Sequence, residues 1–410
     1  MRRLALSVLL VVGCGSEDPC EGVTGVCVGI SEGASATEIQ KALIEVQPGS
    51  TIAFGSGTYN LAVDLSLDVD GVTIQGAGMD DTVLSFKKQA NGAQGLLVTS
   101  DDFKIRDIAI EDTRGDALKV LGATNVTIER VRIEWTAGPN ETNGAYGLYP
   151  VQCKNVLIAD SVVKGASDAG VYVGQSDNIV VRGNRAEHNV AGIEIENSTN
   201  ADVTQNIATN NTGGILVFNL PGLEVENGAI TRVYDNEVFA NNTVNFAPVG
   251  NIVALVPAGT GMAMIAAHQV EVFNNTVRDH KAVNIGIISY VPTGLEPNDP
   301  SYDQYPTAIH IHDNTLTGSS EMPTGELGAL LISAIGEIHP NGPFVIPDIA
   351  WDGVLDPARL YGPSDRICIQ NNGDANYINL AWPLSDSGLP SEDMAPHDCT
   401  LAALPEVVLP

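Results

Sequence analysis

Positive charge is scarce in this sequence. Its 410 residues include 20 lysines and arginines against 50 aspartates and glutamates, which gives a formal net charge of −30 at pH 7. A field of this sign repels nucleic acid and anionic lipid, so no nucleic-acid partner is expected. It also disfavours a long groove for a polyanionic sugar unless the positive side chains gather in one place. Divalent cations and neutral glycans are compatible with such a surface.

Long hydrophobic runs are missing as well. The stretch Leu4–Val12, after Met1-Arg2-Arg3, is mainly apolar but shorter than the roughly 18–20 residues that span a bilayer. Residues 1–13 are therefore predicted to be a secretory signal peptide. The segment Val11-Val12-Gly13-Cys14 resembles a bacterial lipobox, which implies cleavage before Cys14, acylation of that cysteine and a lipid-anchored linker over residues 14–33. An ordinary signal peptide beside an unrelated cysteine is the alternative. The resemblance predicts a cell-envelope protein that meets the outer membrane through its lipid anchor only.

Cysteine is sparse too, with six residues in the chain. In an exported protein, close cysteine pairs tend to be oxidised. We therefore predict disulfides between Cys20 and Cys27 and between Cys368 and Cys399. Cys153, at the end of an apolar run, is expected to be a buried small hydrophobe.

The sequence is rich in one short repeated strand. An apolar–x–apolar triplet recurs along the chain, and consecutive copies ending at Ile158, Val181 and Val203 are 23 and 22 residues apart. This period is that of one coil of a parallel β-helix, and longer steps contain inserted loops. We predict an all-β fold, a single-stranded right-handed parallel β-helix of about ten coils, with its body over residues 71–335.

An asparagine follows the triplet three residues later in six copies. Asparagine tolerates left-handed turn conformations, and its amide can bond to the same group one coil away. We predict a structural ladder formed by Asn184, Asn206, Asn236, Asn275, Asn314 and Asn372.

Both ends of the solenoid need caps, because open ends expose strand edges. The helical spacing of Ala36–Ile44 and the segment Gly55–Tyr59 resemble the capping helix and first coil of pectin-lyase-like β-helix proteins, so residues 34–70 are predicted to be this cap. Residues 336–410 are predicted to be a long loop, the last coil and a C-terminal cap. Long loops are expected to wall one edge of the C-terminal half near residues 219–229, 256–268, 291–307 and 336–364.

A second strand closes each coil, and its middle residue points outward. On four consecutive coils this outward column contains Lys119, Tyr149, Tyr172 and Glu194, and Glu196 lies two residues beyond Glu194. Aromatic rings, a base and an acid in one row suit stacking on a sugar followed by acid–base chemistry. An ordinary solvated strand face is the alternative.

The segment Tyr146-Gly147-Leu148-Tyr149-Pro150-Val151-Gln152 resembles the motif Tyr-Gly-Phe-Asp-Pro-His-Glu of bacterial alginate C5-epimerases. Tyr146, Gly147 and Pro150 match, and Lys119 on the preceding coil lies where those enzymes place a catalytic lysine. Tyr149 and Val151 replace the motif's aspartate and histidine, which counts against epimerisation. Together with the outward column, the resemblance predicts Lys119, Tyr146 and Glu194 as catalytic residues and Tyr149, Tyr172 and Glu196 as substrate-binding residues.

A separate candidate lies at His310 and His312, which face one side of a strand. Glu271 is expected one coil below His310, and two imidazoles with a carboxylate could bind zinc or another divalent ion. Two exposed histidines without a metal are the alternative. The acidic and aromatic loop Leu295–Tyr305 is a candidate for calcium or a glycan. The candidate cofactor is calcium or another divalent cation.

Lipobox, cap and tandem repeats together resemble the bacterial lipoproteins built from parallel β-helix repeats. Fold alone does not define function. One hypothesis is an extracytoplasmic polysaccharide lyase or C5-epimerase-like enzyme. The other is a non-catalytic envelope scaffold that binds glycan or a partner protein. The missing Asp–His pair favours binding, whereas a site with a strongly perturbed acid or lysine pKa would favour catalysis.

Overall fold

The computed structural model describes residues 18–318, 323, 325–382 and 388–410. The predicted signal peptide and Cys14 lie outside the described residues. Within the described residues the chain forms a parallel β-solenoid of about 13 turns, so the predicted fold class is confirmed. None of the described helices is both long and apolar enough to cross a membrane.

Each turn of the solenoid contributes strands to three faces. The strands that form the first face are Cys27–Ile30, Thr51–Phe54, Thr73–Gln75, Lys104–Glu111, Thr124–Glu134, Lys154–Ala159, Asp177–Arg182, Thr199–Thr204, Ala229–Tyr234, His268–Phe273, Thr307–His312 and Ile367–Gln370.

The second face is made of shorter strands. The long strands Lys104–Glu111 and Thr124–Glu134 bend from the first face into the second. Its other strands are Gly57–Asn60, Thr82–Ser85, Val162–Lys164, Arg185–Glu187, Ile207–Thr209, Glu237–Phe239, Thr276–Arg278 and Thr315–Thr317.

The third face is an 11-stranded parallel sheet. Its strands are Leu65–Leu67, Gln94–Val98, Asp116–Leu121, Tyr146–Val151, Ala169–Gly174, Ala191–Glu196, Gly213–Phe218, Thr260–Ile265, Val283–Ile288, Ile349–Trp351 and Tyr377–Asn379.

Alternation along each strand buries one side in a core of valine, isoleucine and leucine. Ile158 pairs with Val181, and Val181 pairs with Val203 one coil further on, so the repeat seen in the sequence is the register of the sheet. The coil count exceeds the predicted ten partly because Cys27–Ile30, in the predicted linker, already pairs with Thr51–Phe54. The solenoid also continues past residue 335, through Ile349–Trp351 and the strands after it.

The predicted asparagine ladder is present between the first and second faces. The Nδ2 of Asn184 donates to Oδ1 of Asn206 at 3.0 Å, and the same bond continues coil by coil to Asn372. A second ladder, absent from the sequence prediction, runs through Asn189, Asn211 and Asn241 and ends on His280.

Helix α1, Ala36–Glu45, caps the N-terminal end as predicted. Ser35 and Glu38 form a capping box, and Ile39 and Leu43 are buried against the first coils. The second helix, α2, spans Gly325–Ile338. The described residues also form four short 3₁₀ helices: Ile252–Leu255, Val291–Thr293, Pro363–Asp365 and Ala395–His397.

Both predicted disulfides are present, Cys20–Cys27 and Cys368–Cys399, and Cys153 is a buried free cysteine. The second disulfide starts a C-terminal tail, residues 399–410, that runs along the outside of the first face. There the backbone N–H of Leu404 donates to Glu271 Oε2 at 2.9 Å, and that of Val407 donates to Asp202 Oδ2 at 3.2 Å.

Loops between the faces cover part of the outer surface of the third face. The predicted wall is correct near residues 219–229 and 291–307. It is wrong at 256–268, where Thr260–Ile265 is a third-face strand, and at 336–364, which contains Ile349–Trp351. Methionine and alanine replace the usual valine and isoleucine in Thr260–Ile265, so the repeat is weak in sequence there. The covering segment instead precedes this strand, at residues 246–256, and packs on the third face through Phe246, Val253 and Val256.

Candidate functional site

The third face brings the predicted outward column together. Tyr149 pairs in register with Lys119, and the next strands place Tyr172 and then Glu194 in the same column. The neighbouring column runs from Val151 through Gly174 to Glu196. The four column residues therefore lie on four consecutive coils, as their sequence spacing predicts.

Three tyrosines form one aromatic group at this place. The ring centroids of Tyr146 lie 4.5 Å from those of both Tyr149 and Tyr172, and Tyr149 and Tyr172 are 4.9 Å apart, edge to face. The Lys119 ammonium lies 4.8 Å from the centroid of the Tyr149 ring, a cation–π distance.

Three carboxyl groups are buried beside these rings. Glu194 is 1% exposed, and Glu196 and Asp168 are each 6% exposed. The Tyr172 hydroxyl donates to Glu196 Oε1 at 3.0 Å, and the Asn251 amide donates to Asp168 Oδ2 at 3.0 Å. We call Tyr146, Tyr149, Tyr172, Asp168, Glu194 and Glu196 the tyrosine–acid cluster.

Burial makes these carboxyl groups hold their protons. It raises the pKa of Glu196 to about 7, against the hydrogen bond from Tyr172. It raises the pKa of Asp168 to about 7, against the hydrogen bond from Asn251. The pKa of Glu194 rises well above its ordinary value through burial and through the charges of Asp168 and Glu196. Near neutral pH the cluster thus contains protonated carboxyl groups, which can act as general acids.

The tyrosine hydroxyls respond in the same direction. Burial raises the pKa of Tyr149 to about 12, and it raises that of Tyr146 further, with Asp168 adding to the effect. The Tyr146 hydroxyl in turn lowers the pKa of Asp168. Tyr146 is therefore a neutral phenol with a proton-holding partner behind it.

The cluster opens towards the N-terminal coils. Lys119, Tyr149 and Tyr146 are partly exposed, whereas Tyr172 and Glu194 are buried, and Tyr172 lies in the same apolar cluster as the segment 246–256. Asp116 lies at the open end, where its carboxylate accepts the backbone N–H of Tyr146 at 3.3 Å. Burial raises the pKa of Asp116 to about 6, with the Tyr146 N–H and Lys119 acting against it.

Sequence reasoning missed Asp116, Asp168 and Asn251. Asp116 is the first residue of a third-face strand, and Asp168 comes directly before another, so neither occupies the outward middle position of its strand. Scanning the residues at the start of each closing strand would have found both aspartates. Asn251 belongs to a non-repeating loop, and nothing in the sequence places it against Asp168.

The epimerase-like segment acquires a partly structural explanation. A Cβ atom on Gly147 would lie 2.5 Å from the carbonyl oxygen of Gly170 on the next coil, so close backbone approach requires glycine there. Tyr149 and Val151 replace the motif's acidic and imidazole groups, but the same two columns carry Glu194 and Glu196 two coils later. This chain therefore has acidic side chains in these two columns, but two coils beyond the epimerase-like segment.

A separate apolar cavity lies elsewhere on the molecule. It measures about 130 Å³, is mainly apolar and is lined by residues of the later third-face coils and α2, including Val256, Ile265 and Leu331. Since the chemistry-bearing side chains gather at the tyrosine–acid cluster, this cavity is not the candidate site.

On the first face, Glu271 pairs in register with His310, and His312 follows two residues later. Their ligand atoms all lie within 4.8 Å of one another. Glu271 and His310 are buried, and burial lowers the pKa of His310. The register predicted from the sequence places the three residues together.

Comparison with known proteins adds the following. No curated protein matches the sequence significantly. Among solved structures, the A-module of the mannuronan C-5 epimerase AlgE4 from Azotobacter vinelandii is 21% identical, with a TM-score of 0.49, over 82% of this chain and 90% of that one. An alginate lyase from Paenibacillus sp. is 16% identical, with a TM-score of 0.39, over 72% of this chain and 96% of that one. The periplasmic alginate epimerase AlgG is 13% identical, with a TM-score of 0.42, over 73% and 81%. The activities in these names belong to those proteins.

A family model extends over more than half of the chain. The model described as right handed beta helix region matches residues 67–230 and 147–298, which are the coils that carry the tyrosine–acid cluster and the strand with Glu271. The chain belongs to this right-handed β-helix family.

Proposed function

We propose that this β-helix acts on a polysaccharide at the tyrosine–acid cluster by general acid–base catalysis. The observation that carries the proposal is the burial of three carboxyl groups directly behind three packed tyrosines, with Lys119 and Asp116 at the open end. Perturbed carboxyl pKa values next to an aromatic surface are typical of sites that bind a sugar and transfer a proton.

The partly exposed residues are the ones that would touch the substrate. A sugar ring would stack on Tyr149 beside Lys119, within reach of Asp116 and Tyr146. At neutral pH Asp116 is mostly ionised, since its pKa is raised only to about 6, so it can accept a proton. Tyr146 can donate one and recover it from Asp168, the carboxyl group whose pKa its hydroxyl lowers. Glu194 and Glu196 lie behind and are positioning residues in this scheme.

A lyase- or epimerase-like reaction fits these roles. Asp116 would remove the C5 proton of a uronate, and Lys119 would stabilise the charge that develops on the sugar carboxylate. Tyr146 would then protonate either the departing glycosidic oxygen, which gives elimination, or C5 from the other side, which gives epimerisation. Elimination breaks the C4–O glycosidic bond and leaves a double bond between C4 and C5. Epimerisation leaves the glycosidic bond intact and re-forms the C5–H bond on the opposite face of the ring.

The test is a screen of the purified protein against uronic-acid and neutral polysaccharides, following the ultraviolet absorbance of unsaturated uronates, reducing ends and binding. Turnover should fall at least 100-fold in Lys119→Ala and in Tyr146→Phe. Matched controls are Lys154→Ala, which removes an exposed lysine paired with Asp177 on the first face, and Tyr234→Phe. Turnover that survives both cluster variants would disprove this site.

A second candidate is a non-catalytic scaffold that binds glycan or an envelope protein. It is favoured by the deep burial of Glu194 and Glu196, which keeps both acids from direct contact with a polymer on the surface. Binding without turnover that is lost in Tyr149→Ala combined with Tyr172→Ala would support it. Unchanged binding in that double variant would remove the cluster from both candidates.

We further propose a location outside the cytoplasm, since two disulfides in one chain favour an oxidising compartment. Lipid anchoring at Cys14, residence at the outer membrane and a role for calcium or another divalent cation remain parts of this proposal. Mass spectrometry of the mature N-terminus tests the anchor directly.

A further inference from the structure

His310 is a buried imidazole without a partner. It is 5% exposed, and neither of its ring nitrogens has a hydrogen-bond partner among the described residues. An unpaired polar group in such a place is costly unless a ligand satisfies it. His310 lies on the outside of the first face, opposite to the core, beneath the C-terminal tail.

Two further ligand atoms face the same point. His312 Nε2 lies 3.2 Å from Glu271 Oε1, and the ring centroids of His310 and His312 are 4.1 Å apart. Two ligands at about 2.1 Å from one zinc ion are at most about 4.2 Å apart, and the ligand atoms of this group all lie within 4.8 Å of one another. Small rotations of the side chains would bring all three atoms onto one ion.

The surroundings of the three side chains are those of a metal site. Asp313 Oδ2 lies 2.7 Å from His312 Nδ1, so that this carboxylate can hold the ring with Nε2 free for a metal. The backbone N–H of Leu404 holds the second carboxylate oxygen of Glu271. His312 also stacks on Phe273, which stacks on Tyr234, and this column fixes the orientation of its ring.

The nearby cation does not compete for Glu271. Arg232, one coil below, lies 3.4 Å from Asp202 Oδ1 and over the Tyr234 ring. The two carboxylate oxygens of Glu271 therefore contact His312 and the Leu404 backbone N–H of the tail.

We propose that Glu271, His310 and His312 bind one divalent transition-metal ion of the zinc type beneath the C-terminal tail. Two imidazoles and one carboxylate are a ligand set that zinc accepts, and they leave a fourth position for water. Since the backbone N–H of Leu404 donates to Glu271, one of the three ligands, the ion would link the tail to the first face. This proposal concerns a different face from the tyrosine–acid cluster and stands or falls independently of the proposed function.

The experiment uses the full chain, stripped of metal with EDTA and titrated with ZnCl₂ by calorimetry, with elemental analysis of the dialysed product. We expect one zinc per chain, and at least 100-fold weaker binding in His310→Ala combined with His312→Ala. Co²⁺ bound to the wild-type chain should give visible ligand-field absorption that zinc abolishes. Bound zinc should also slow carboxypeptidase digestion of the tail at least tenfold.

The matched control is His339→Ala, because His339 Nε2 lies 2.8 Å from Glu392 Oε1 but belongs to no three-ligand group among the described residues. It should bind zinc like the wild type. Glu271→Gln keeps the size of the side chain and should still weaken binding at least tenfold, and circular dichroism checks that each variant is folded. A wild-type chain that takes up no zinc, or folded ligand variants that bind it unchanged, would overturn the proposal.

Discussion

Gly174 makes room for the contact between Tyr172 and Glu196. A Cβ atom at this position would lie 2.3 Å from the Tyr172 hydroxyl oxygen and 2.4 Å from its ring, so the ring crosses the space that a side chain would fill. We expect Gly174→Ala to displace the ring, break its hydrogen bond to Glu196 and lower the free energy of unfolding by about 1–3 kcal/mol. Urea denaturation measures this loss.

Gly286→Ala is the matched control for that substitution. Gly286 is on the same face, and a Cβ there would meet its nearest neighbour at 3.6 Å, an ordinary contact. Its free energy of unfolding should change by less than about 0.5–1 kcal/mol. Equal losses in the two variants would show that the third face tolerates no added methyl group, and would remove the special role of Gly174.

The proton on Glu196 predicts a pH dependence of stability. The pKa of Glu196 is raised from 4.5 to about 7 in the folded chain, so between these values the folded chain keeps a proton that the unfolded chain has released. Its contribution to stability is complete below pH 4.5 and is lost as the pH rises to about 7. At about 1.4 kcal/mol per pH unit, the loss is on the order of 3 kcal/mol.

Glu196→Gln cannot ionise and retains an acceptor for Tyr172. The variant should therefore lose less stability than the wild type between pH 4.5 and pH 8, which urea titrations at several pH values measure. The exposed Glu141→Gln should leave the wild-type slope unchanged. A Glu196→Gln chain with the wild-type slope would mean that Glu196 is ionised in the folded state.

At the scale of elements, the asparagine ladder links coils that the strands alone would hold less well. Asn206 is 1% exposed. It donates to Asn236 Oδ1 and to the Val181 carbonyl, and it accepts the backbone and side-chain N–H groups of Asn184. We expect Asn206→Ala to lower the free energy of unfolding by about 2–4 kcal/mol, because the buried groups of Asn184, Asn236 and Val181 that bond to this side chain would be left without that partner.

Thermal or urea unfolding checks this prediction, with the exposed turn residue Asn140 as control. Asn140→Ala removes an asparagine whose side chain accepts from Thr142 alone among the described residues. We expect it to lower the free energy of unfolding by about 1 kcal/mol or less. If Asn206→Ala were no worse than this control, the ladder would be a consequence of the stacking and not a cause of its stability.

The strands and the asparagine ladder could be predicted from the sequence because equivalent positions on successive coils have the same environment and therefore select the same type of residue. Val181 and Asn206 each recur in register, so spacing alone places them. The cover of the third face could not be predicted, since Asn251 lies in a segment without a repeat and its contact with Asp168 depends on the path of that loop. For the same reason the outward column was foreseen, but the burial of Glu194 within it was not.

At the scale of the whole molecule, the net negative charge acts on any ligand that approaches. The chain carries a formal charge of −30, and at the tyrosine–acid cluster the Lys119 ammonium lies over the Tyr149 ring. Near Lys119 lie Asp116, which is mostly ionised at neutral pH, and the three buried acids of the cluster, whose raised pKa values keep part of them protonated. A neutral glycan meets the aromatic surface without electrostatic cost, whereas a polyuronate must approach against the field of the molecule.

This difference predicts an unusual salt dependence. The Debye length falls from about 30 Å at 0.01 M salt to about 8 Å at 0.15 M, so added salt screens the long-range repulsion more than the short contact with Lys119. Association of a uronate oligosaccharide should therefore become faster with salt, opposite to the trend for a basic protein on a polyanion. A neutral oligosaccharide should show no such trend, and stopped-flow fluorescence measures both rates.

Lys119→Ala should weaken only the uronate complex, through faster dissociation. Slower uronate association at high salt would mean that the ligand meets a locally positive surface, and therefore binds away from the tyrosine–acid cluster.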